Sequence, residues 1–478
     1  MFDILLPERS EQPLYQQLYI QIRDQIRNGN LADGMRLPSV RALQVQLNIS
    51  KTPIETAYQM LTAEGYVVSR PRSGLYVANP YKNVTASIPN TEVYDVSRKT
   101  PPKPKSPDSV KQAGFIDFDP TALDHETFPI RTWNTMLKEA LENHANMIGK
   151  YGDPQGEHGL RVVVADYLRN SRGVICSPEQ IVIGVGMAYS IGILSKLLKD
   201  TRRIAFEEPG YSLVRDQFML NSCEILPIPV DDKGISLTDL ESSTAQMVYV
   251  TPSHQFPTGC ITPYPERERL LEWAIANHAY IIEDDYDGEF RYLGKPIPSL
   301  QGLDSSGRVI YIGTFSKALT PALRMNYMVL PPKLIERLLS MTHEVVYAPS
   351  RVEQWAMQSF IEQGHWYRHI RKVRNLYRNR HHYLITLIQN HLGRHVEITG
   401  QNAGLHIQLV VKKHQTSEEL VDSAAEVGVK VYDLRKMWME MNQDPAQYPN
   451  LYLGFAGLSM ADMETGIRLL QKAWFMEP

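Results

Sequence analysis

Asp284, Asp285 and Tyr286 close a hydrophobic run, IIEDDYDGEF, and a second run leads into Thr314-Phe315-Ser316-Lys317. Both runs have the length and apolar character of buried strands, which puts acid, phenol and amine at neighbouring strand ends. A lysine amine placed there can form a Schiff base with an aldehyde. A buried acid beside it can keep a pyridine nitrogen protonated. Those are the demands that pyridoxal phosphate chemistry makes of a protein. Each residue also has an ordinary reading: Lys317 as a surface lysine, Asp284 as a turn cap with Asp285 in its role, Arg324 as an ion-pair partner. The ordered set outweighs these, because open α/β sheets bind ligands at the carboxyl ends of their strands.

The elements that must position these residues follow from the pattern around them. From about Phe115 onward, QIVIGV, RIAFEE, QMVYVT, AYIIED and RVIYIG are short apolar segments, each followed by a helical stretch. That alternation predicts an α/β unit with a mostly parallel sheet covered by helices. Upstream, residues 80–114 hold Pro80, Pro89, Pro101, Pro102, Pro104 and Pro107 without apolar periodicity, and read as an extended linker. The expected division is therefore 1–79, a linker at 80–114, and 115–478. A chain of 478 residues has room for two to four domains. At 43% hydrophobic and 22% charged it has the composition of a globular protein rather than a disordered one.

Net charge of −3 neither favours nor excludes nucleic acid, so local charge must decide. Cys176, Cys223 and Cys260 are odd in number, far apart and free of any CxxC spacing. This speaks against a disulfide framework and against zinc, and a reducing cytoplasm is expected. The first residues, MFDILLPERSEQ, lack the basic flank and apolar core of a signal peptide. No apolar run reaches about 18 residues, so no membrane span is expected.

Within 1–79, Leu14, Leu18, Ile22 and Ile26 predict a first helix with one apolar face, ended by Gly29. Ser39 opens a second helix with Val40, Leu43 and Leu47. Ser50 opens a third, with Pro53 in its first turn and Ile54, Ala57, Tyr58 and Leu61 on one side. Tyr66-Val67-Val68 and Leu75-Tyr76-Val77 then flank a basic tip, Arg70-Pro71-Arg72-Ser73-Gly74. Three helices and a hairpin describe a winged helix-turn-helix. Between Arg36 and Val77 there are five basic residues and two acids, a local excess of positive charge in a negative chain. Arg36, Ser39, Arg41, Lys51, Thr52, Thr56, Arg70 and Arg72 are the expected DNA contacts, from the third helix in the major groove and the wing beside it. A solvated basic face on a small helical domain is the plainer alternative.

Two further signals stand apart. His365 and His369 lie four residues apart on an expected helix, with no acidic third ligand nearby, so an exposed helix is expected rather than a metal site. Arg368, Arg371, Lys372, Arg374, Arg378 and Arg380 follow without an acid, and read as a solvated face or as a second DNA contact.

Residues 13–78, with LPSVRAL, SKTPIETAYQMLTAEGYV and a glycine-containing wing, resemble the GntR superfamily of winged-helix repressors. Lys51 stands where that family most often has arginine, which keeps charge but loses bidentate recognition. Residues 116–478 resemble fold-type I aminotransferases, with a large domain built on a mostly parallel sheet and a smaller α+β domain. Tyr151-Gly152-Asp153-Pro154-Gln155-Gly156 looks like their YGDPxG segment, and Glu208-Pro209-Gly210-Tyr211 like the strand end whose ring stacks on the cofactor. The resemblance implies phosphate contacts from Gly186, Met187, Ala188, Thr314, Ser316 and Arg324. It implies Tyr211 stacked on the pyridine, Asp284 on its nitrogen, Tyr286 on the 3′ oxygen and Lys317 as the Schiff-base lysine.

In this order the two modules resemble the MocR/GabR type of GntR regulators, and TPSHQFPTG at 251–259 resembles them closely. Phe256 stands where working aminotransferases place asparagine, a change that removes a hydrogen bond to the cofactor. Leu213 and Lys436 stand where GABA-sensing members present two arginines. Tyr151, Arg435 and Lys436 are the expected effector contacts. The resemblance implies a cytoplasmic, head-to-tail, domain-swapped homodimer that binds operator DNA and senses an amine by aldimine exchange at Lys317. Related members sense pyridoxal phosphate itself or D-alanyl-D-alanine, and the expected effector here is a different amino compound or dipeptide. The alternatives are a functional aminotransferase carrying a DNA-binding domain, and a constitutive DNA-binding protein with the cofactor as a structural plug.

Overall fold

A computed structural model describes residues 4, 12–71, 73–78, 115–292, 298–341, 349–439 and 448–476. The chain forms two compact units, Met1–Ser109 and Val110–Pro478. The expected linker, 80–114, lies outside the described residues, as does Arg72.

In the first unit, α1 (Leu14–Arg27), α2 (Val40–Leu47) and α3 (Lys51–Ala63) precede a hairpin of β1 (Val67–Arg70) and β2 (Gly74–Val77). Leu18, Ile22 and Ile26 of α1 meet Leu43, Ile54, Ala57 and Leu61 in a core of their own, closed by Val67 and Val77. Leu14 does not share that stripe; it is exposed. Ser39 caps α2, its Oγ accepting from the Ala42 N–H at 3.1 Å. Ser50 holds the equivalent place before α3 without a side-chain cap bond. The hairpin pairs Arg70 with Gly74, and Arg36 bridges across to Tyr76.

The second unit has an eight-stranded sheet and a four-stranded one. Its strands are β3 (Ile116–Asp117), β4 (Ile181–Gly184), β5 (Arg203–Glu208), β6 (Glu224–Asp231), β7 (Gly234–Ile235), β8 (Met247–Val250), β9 (Tyr280–Asp285), β10 (Val309–Thr314), β11 (Asn326–Val329), β12 (Val396–Thr399), β13 (His406–Val411), β14 (Val429–Lys430), β15 (Tyr432–Asp433) and β16 (Asn450–Gly454). The large sheet runs β4-β11-β10-β9-β8-β5-β6-β7. β10, β9, β8, β5 and β6 are mutually parallel, while β11 runs antiparallel between β10 and β4. Its central strands are buried along nearly their whole length, as both-faced coverage by helices requires. The antiparallel sheet β12-β13-β16-β15 belongs to the smaller α+β part.

The helix His365–His391 departs from its sequence reading. His369 is buried, its Nε2 lying 2.8 Å from the carbonyl of Ala318, next to Lys317. Arg380 is buried too, donating to the Ala456 carbonyl and to Asp124, and Arg374 donates to the Glu289 carbonyl. The basic run is thus only partly a solvated face, because the helix packs on two sides and guanidinium groups satisfy buried carbonyls there.

Candidate cofactor and DNA sites

The parallel strands end together, and their carboxyl ends open into one cavity of about 520 Å³. β9 delivers Asp284 and the loop after it Tyr286 and Asp287. β10 delivers Thr314, followed by Ser316 and Lys317, and the turn before β11 delivers Arg324. Gly186, Met187 and Ala188 line the cavity at the start of the helix Met187–Leu197, and Tyr211 lines it too. All ten residues expected at the cofactor therefore share this cavity. Tyr151, Arg435 and Lys436 do not line it. Tyr151 is fully exposed and Lys436 is exposed, while Arg435 is held by Asp433 at 2.7 Å and Glu418 at 2.8 Å.

The two neighbouring acids of β9 are used differently. Asp285 receives Arg172 through Nε at 2.5 Å and Nη2 at 3.0 Å, and the hydroxyl of Tyr311 at 2.6 Å. It does not line the cavity. Asp284 accepts the Tyr249 hydroxyl on Oδ2 at 2.5 Å, and its Oδ1 is buried without a partner at the cavity wall. Burial pushes the Asp284 carboxyl up to about 7, with Asp285, Asp287 and Glu207 adding to the rise and the Tyr249 bond opposing it. A buried acceptor of this kind, aimed into a cavity, suits a cationic ring N–H.

Burial also pushes the Lys317 amine below the ordinary lysine value, partly offset by Asp287 and Asp119. Its Nζ donates to the Pro120 carbonyl at 3.1 Å. A lysine held closer to neutrality is the better nucleophile toward a carbonyl. Gly186 has φ of +109°, and a Cβ there would stand 2.5 Å from Arg324 Nη2, so glycine lets that guanidinium lie against the turn. One expected phosphate donor is already occupied: the Gly186 N–H donates to Asn326 Oδ1 at 2.9 Å. The amides of Met187 and Ala188 fall in the first helical turn, which leaves its N–H groups without intrahelical partners.

Several contributors were not singled out in the sequence. Asn326 ties the glycine turn to Ser190 through Nδ2 at 2.7 Å. His254 Nδ1 lies 2.8 Å from Asp287 Oδ2 and 2.9 Å from the Tyr286 hydroxyl, so a buried His–Asp pair positions that phenol. The string EDDYD already offered Asp287, and TPSHQ offered His254. Phe256 lines the cavity, its ring 5.1 Å from Tyr211 and 6.1 Å from Tyr286.

In the first unit, the buried residues of α3 leave Lys51, Thr52 and Thr56 on the other face. Lys51 pairs with Glu55 at 2.8 Å, and Thr56 donates to the Thr52 carbonyl. Arg36, Ser39, Arg41 and Arg70 are exposed, with the Arg70 guanidinium 4.4 Å from the Tyr76 ring. Among the described residues no group of three or more His, Cys, Asp or Glu is placed to hold a metal ion, and no helix is long and apolar enough to cross a membrane.

A winged-helix DNA-binding module and an aminotransferase-type unit are thus the two halves of this chain. Residues 14–77 match the family of bacterial regulatory proteins, gntR family, and residues 119–466 match aminotransferase class I and II. The chain is 41% identical to the uncharacterized HTH-type transcriptional regulator YdeL of Bacillus subtilis, over 97% of each. It is 34% identical to the probable rhizopine catabolism regulatory protein MocR of Rhizobium meliloti, over 98% of this chain and 96% of that one. The multiple substrate aminotransferase from Thermococcus profundus superposes with a TM-score of 0.69 at 24% identity, covering 76% of this chain and 92% of that one, and so shares its fold. The chain belongs to the MocR subfamily of gntR-family transcriptional regulators.

Proposed function

We propose that this regulator binds operator DNA through α3 and the wing, holds pyridoxal phosphate at Lys317, and senses a small amine that takes the place of the lysine. The observation that carries the reading is the unpartnered, buried Oδ1 of Asp284 in the same cavity as Lys317. Pyridoxal phosphate, when bound, supplies an aldehyde carbon that bonds reversibly to primary amines. Asp284 would hold the pyridine nitrogen, Tyr211 the ring face and Tyr286 the 3′ oxygen, steadied by His254 and Asp287. Arg324, Thr314, Ser316 and the Met187 and Ala188 amides would receive the phosphate. Release of the Lys317 side chain changes what the cavity wall contacts, and an amine that favours one arrangement of the unit shifts the population toward it.

The protein acts in the cytoplasm as a head-to-tail homodimer on two half-sites, an arrangement that suits the exposed Tyr151 if its partner lies in the other subunit. Borohydride reduction of cofactor-loaded protein, followed by peptide mass analysis, tests the attachment. A pyridoxyl group on the Lys317 peptide supports the reading, and a protein that takes up none refutes it. The lowered Lys317 amine favours a second reading, a working transaminase, since a neutral amine can move protons. Phe256 opposes that reading, because phenyl offers no hydrogen bond to the 3′ oxygen. Repeated turnover with an amino acid and a keto acid would decide for the enzyme.

A further inference from the structure

We infer that Tyr76 is a positioning residue for DNA: its ring holds the Arg70 guanidinium flat and ready to grip a backbone phosphate. The inference rests on the wing contacting DNA and adds the device that prepares that contact. β2 is the middle segment of the wing. Arg70 pairs with Gly74 and Val68 with Tyr76 on one side of it, and Arg36 bridges to Tyr76 on the other. The Leu37 N–H donates to the Leu75 carbonyl at 2.9 Å and the Val77 N–H to the Met35 carbonyl at 2.8 Å, which ties that third segment in. Residues paired across strands share a face, as do alternate residues along one strand. One face therefore carries Arg36, Val68, Arg70, Gly74 and Tyr76, while Leu75 and Val77 turn to the core of the unit.

On that face both arginines are held. The Arg70 Cζ lies 4.4 Å from the centroid of the Tyr76 ring. The ring is itself pinned, its hydroxyl 2.6 Å from Ser73 Oγ in the turn of the hairpin. Arg36 fills the space beside Gly74, where a Cβ would stand 3.2 Å from its Nε and 3.4 Å from its Nη2. The glycine, at φ of +114°, supplies both the turn and the room. A guanidinium stacked by its face keeps its N–H donors at the edge, where they match pairs of phosphate oxygens. An unrestrained arginine loses rotamer freedom on binding, a loss worth up to about tenfold in affinity, and a stacked one has given up part of it beforehand. The register favours backbone over base. Tyr76 lies further from the hairpin tip than Gly74, the partner of Arg70, so the Arg70 side chain leans back along the sheet. A side chain reaching for a groove floor would extend beyond the turn instead.

The test uses full-length, cofactor-loaded protein with two duplexes, one selected by it from a random library and one of random sequence. Fluorescence anisotropy over a range of salt gives each Kd and salt slope. Tyr76→Leu should weaken binding at least about threefold, by the same factor on both duplexes, because phosphate contacts carry no sequence. Tyr76→Phe keeps the ring and should bind like the parent. Arg70→Lys, an exposed change that keeps the charge but loses the flat stack, should cost as much as Tyr76→Leu with an unchanged salt slope. The two together should cost no more than either alone. Circular dichroism checks that each variant keeps its helices; should Tyr76→Leu fail there, Arg70→Lys alone decides. No loss from either change, a Tyr76→Leu loss that persists in full beside Arg70→Lys, a loss confined to the selected duplex, or failure of Tyr76→Phe overturns the inference. Should Arg70→Ala leave affinity and salt slope untouched on both duplexes, the reading of the wing as a DNA contact fails as well.

Discussion

Asp284→Asn should make the cofactor-free protein more stable and the loaded protein weaker. The carboxyl sits at about 7 in the folded chain against an ordinary 3.8. That difference is worth roughly 4 kcal/mol at about 1.36 kcal/mol for each tenfold change. The folded value is raised, so the folded chain keeps a proton that the unfolded chain has released. The associated stability is complete below 3.8, declines as pH rises, and is gone above about 7. Asparagine has no such loss and can still accept from Tyr249. The variant's advantage should therefore widen by roughly 3 kcal/mol between about pH 5 and pH 8. Glu283 and Glu289, also pushed up to about 7 by burial, are common to both proteins and cancel. All six tryptophans lie at or beyond Trp133, so urea titration followed by tryptophan fluorescence reads the second unit alone. With pyridoxal phosphate the order reverses, because the amide cannot balance a pyridinium charge, and affinity should fall at least about tenfold. A gap that stays flat with pH, or a variant that holds the cofactor as tightly as the parent, would refute the placement of Asp284.

Other substitutions probe separate parts. Lys317→Ala should abolish the borohydride-fixed adduct and the response to amines while leaving operator affinity intact, measured by fluorescence anisotropy. Arg172→Met strands the buried Asp285 and should cost about 3–5 kcal/mol in the same urea experiment. Lys51→Ala and Arg70→Ala should each reduce the slope of log affinity against log salt by about 0.9 if each neutralises one phosphate; an unchanged slope removes that residue from the interface.

Periodicity made the winged unit readable: Ile54, Ala57, Tyr58 and Leu61 are the buried side of α3, and the hairpin falls where its flanking apolar triplets put it. The strand ends of the second unit were equally legible, since short apolar runs closing on acid, phenol or lysine have few other uses. What the sequence left open was which of two adjacent acids faces the cavity. Arg172 decides that from 113 residues away, and no local pattern records such a pairing. The same holds for Asn326, which claims the Gly186 amide from 140 residues away, and for Arg380 and His369, whose helix buries polar groups on more than one side. Arg435 looked available because its partners, Asp433 and Glu418, are ordinary surface-type residues until the fold brings them together.

Successive residues of a strand point to opposite faces of its sheet. On β9 this gives Asp284 to the ligand and Asp285 to the masonry, one rung apart. The two acids are consequently not spares for one another: losing either cannot be made good by its neighbour. A single-residue insertion or deletion upstream in β9 would exchange their duties, turning an unpaired charge inward and a locked one outward, so this strand should tolerate changes of side chain far better than changes of length.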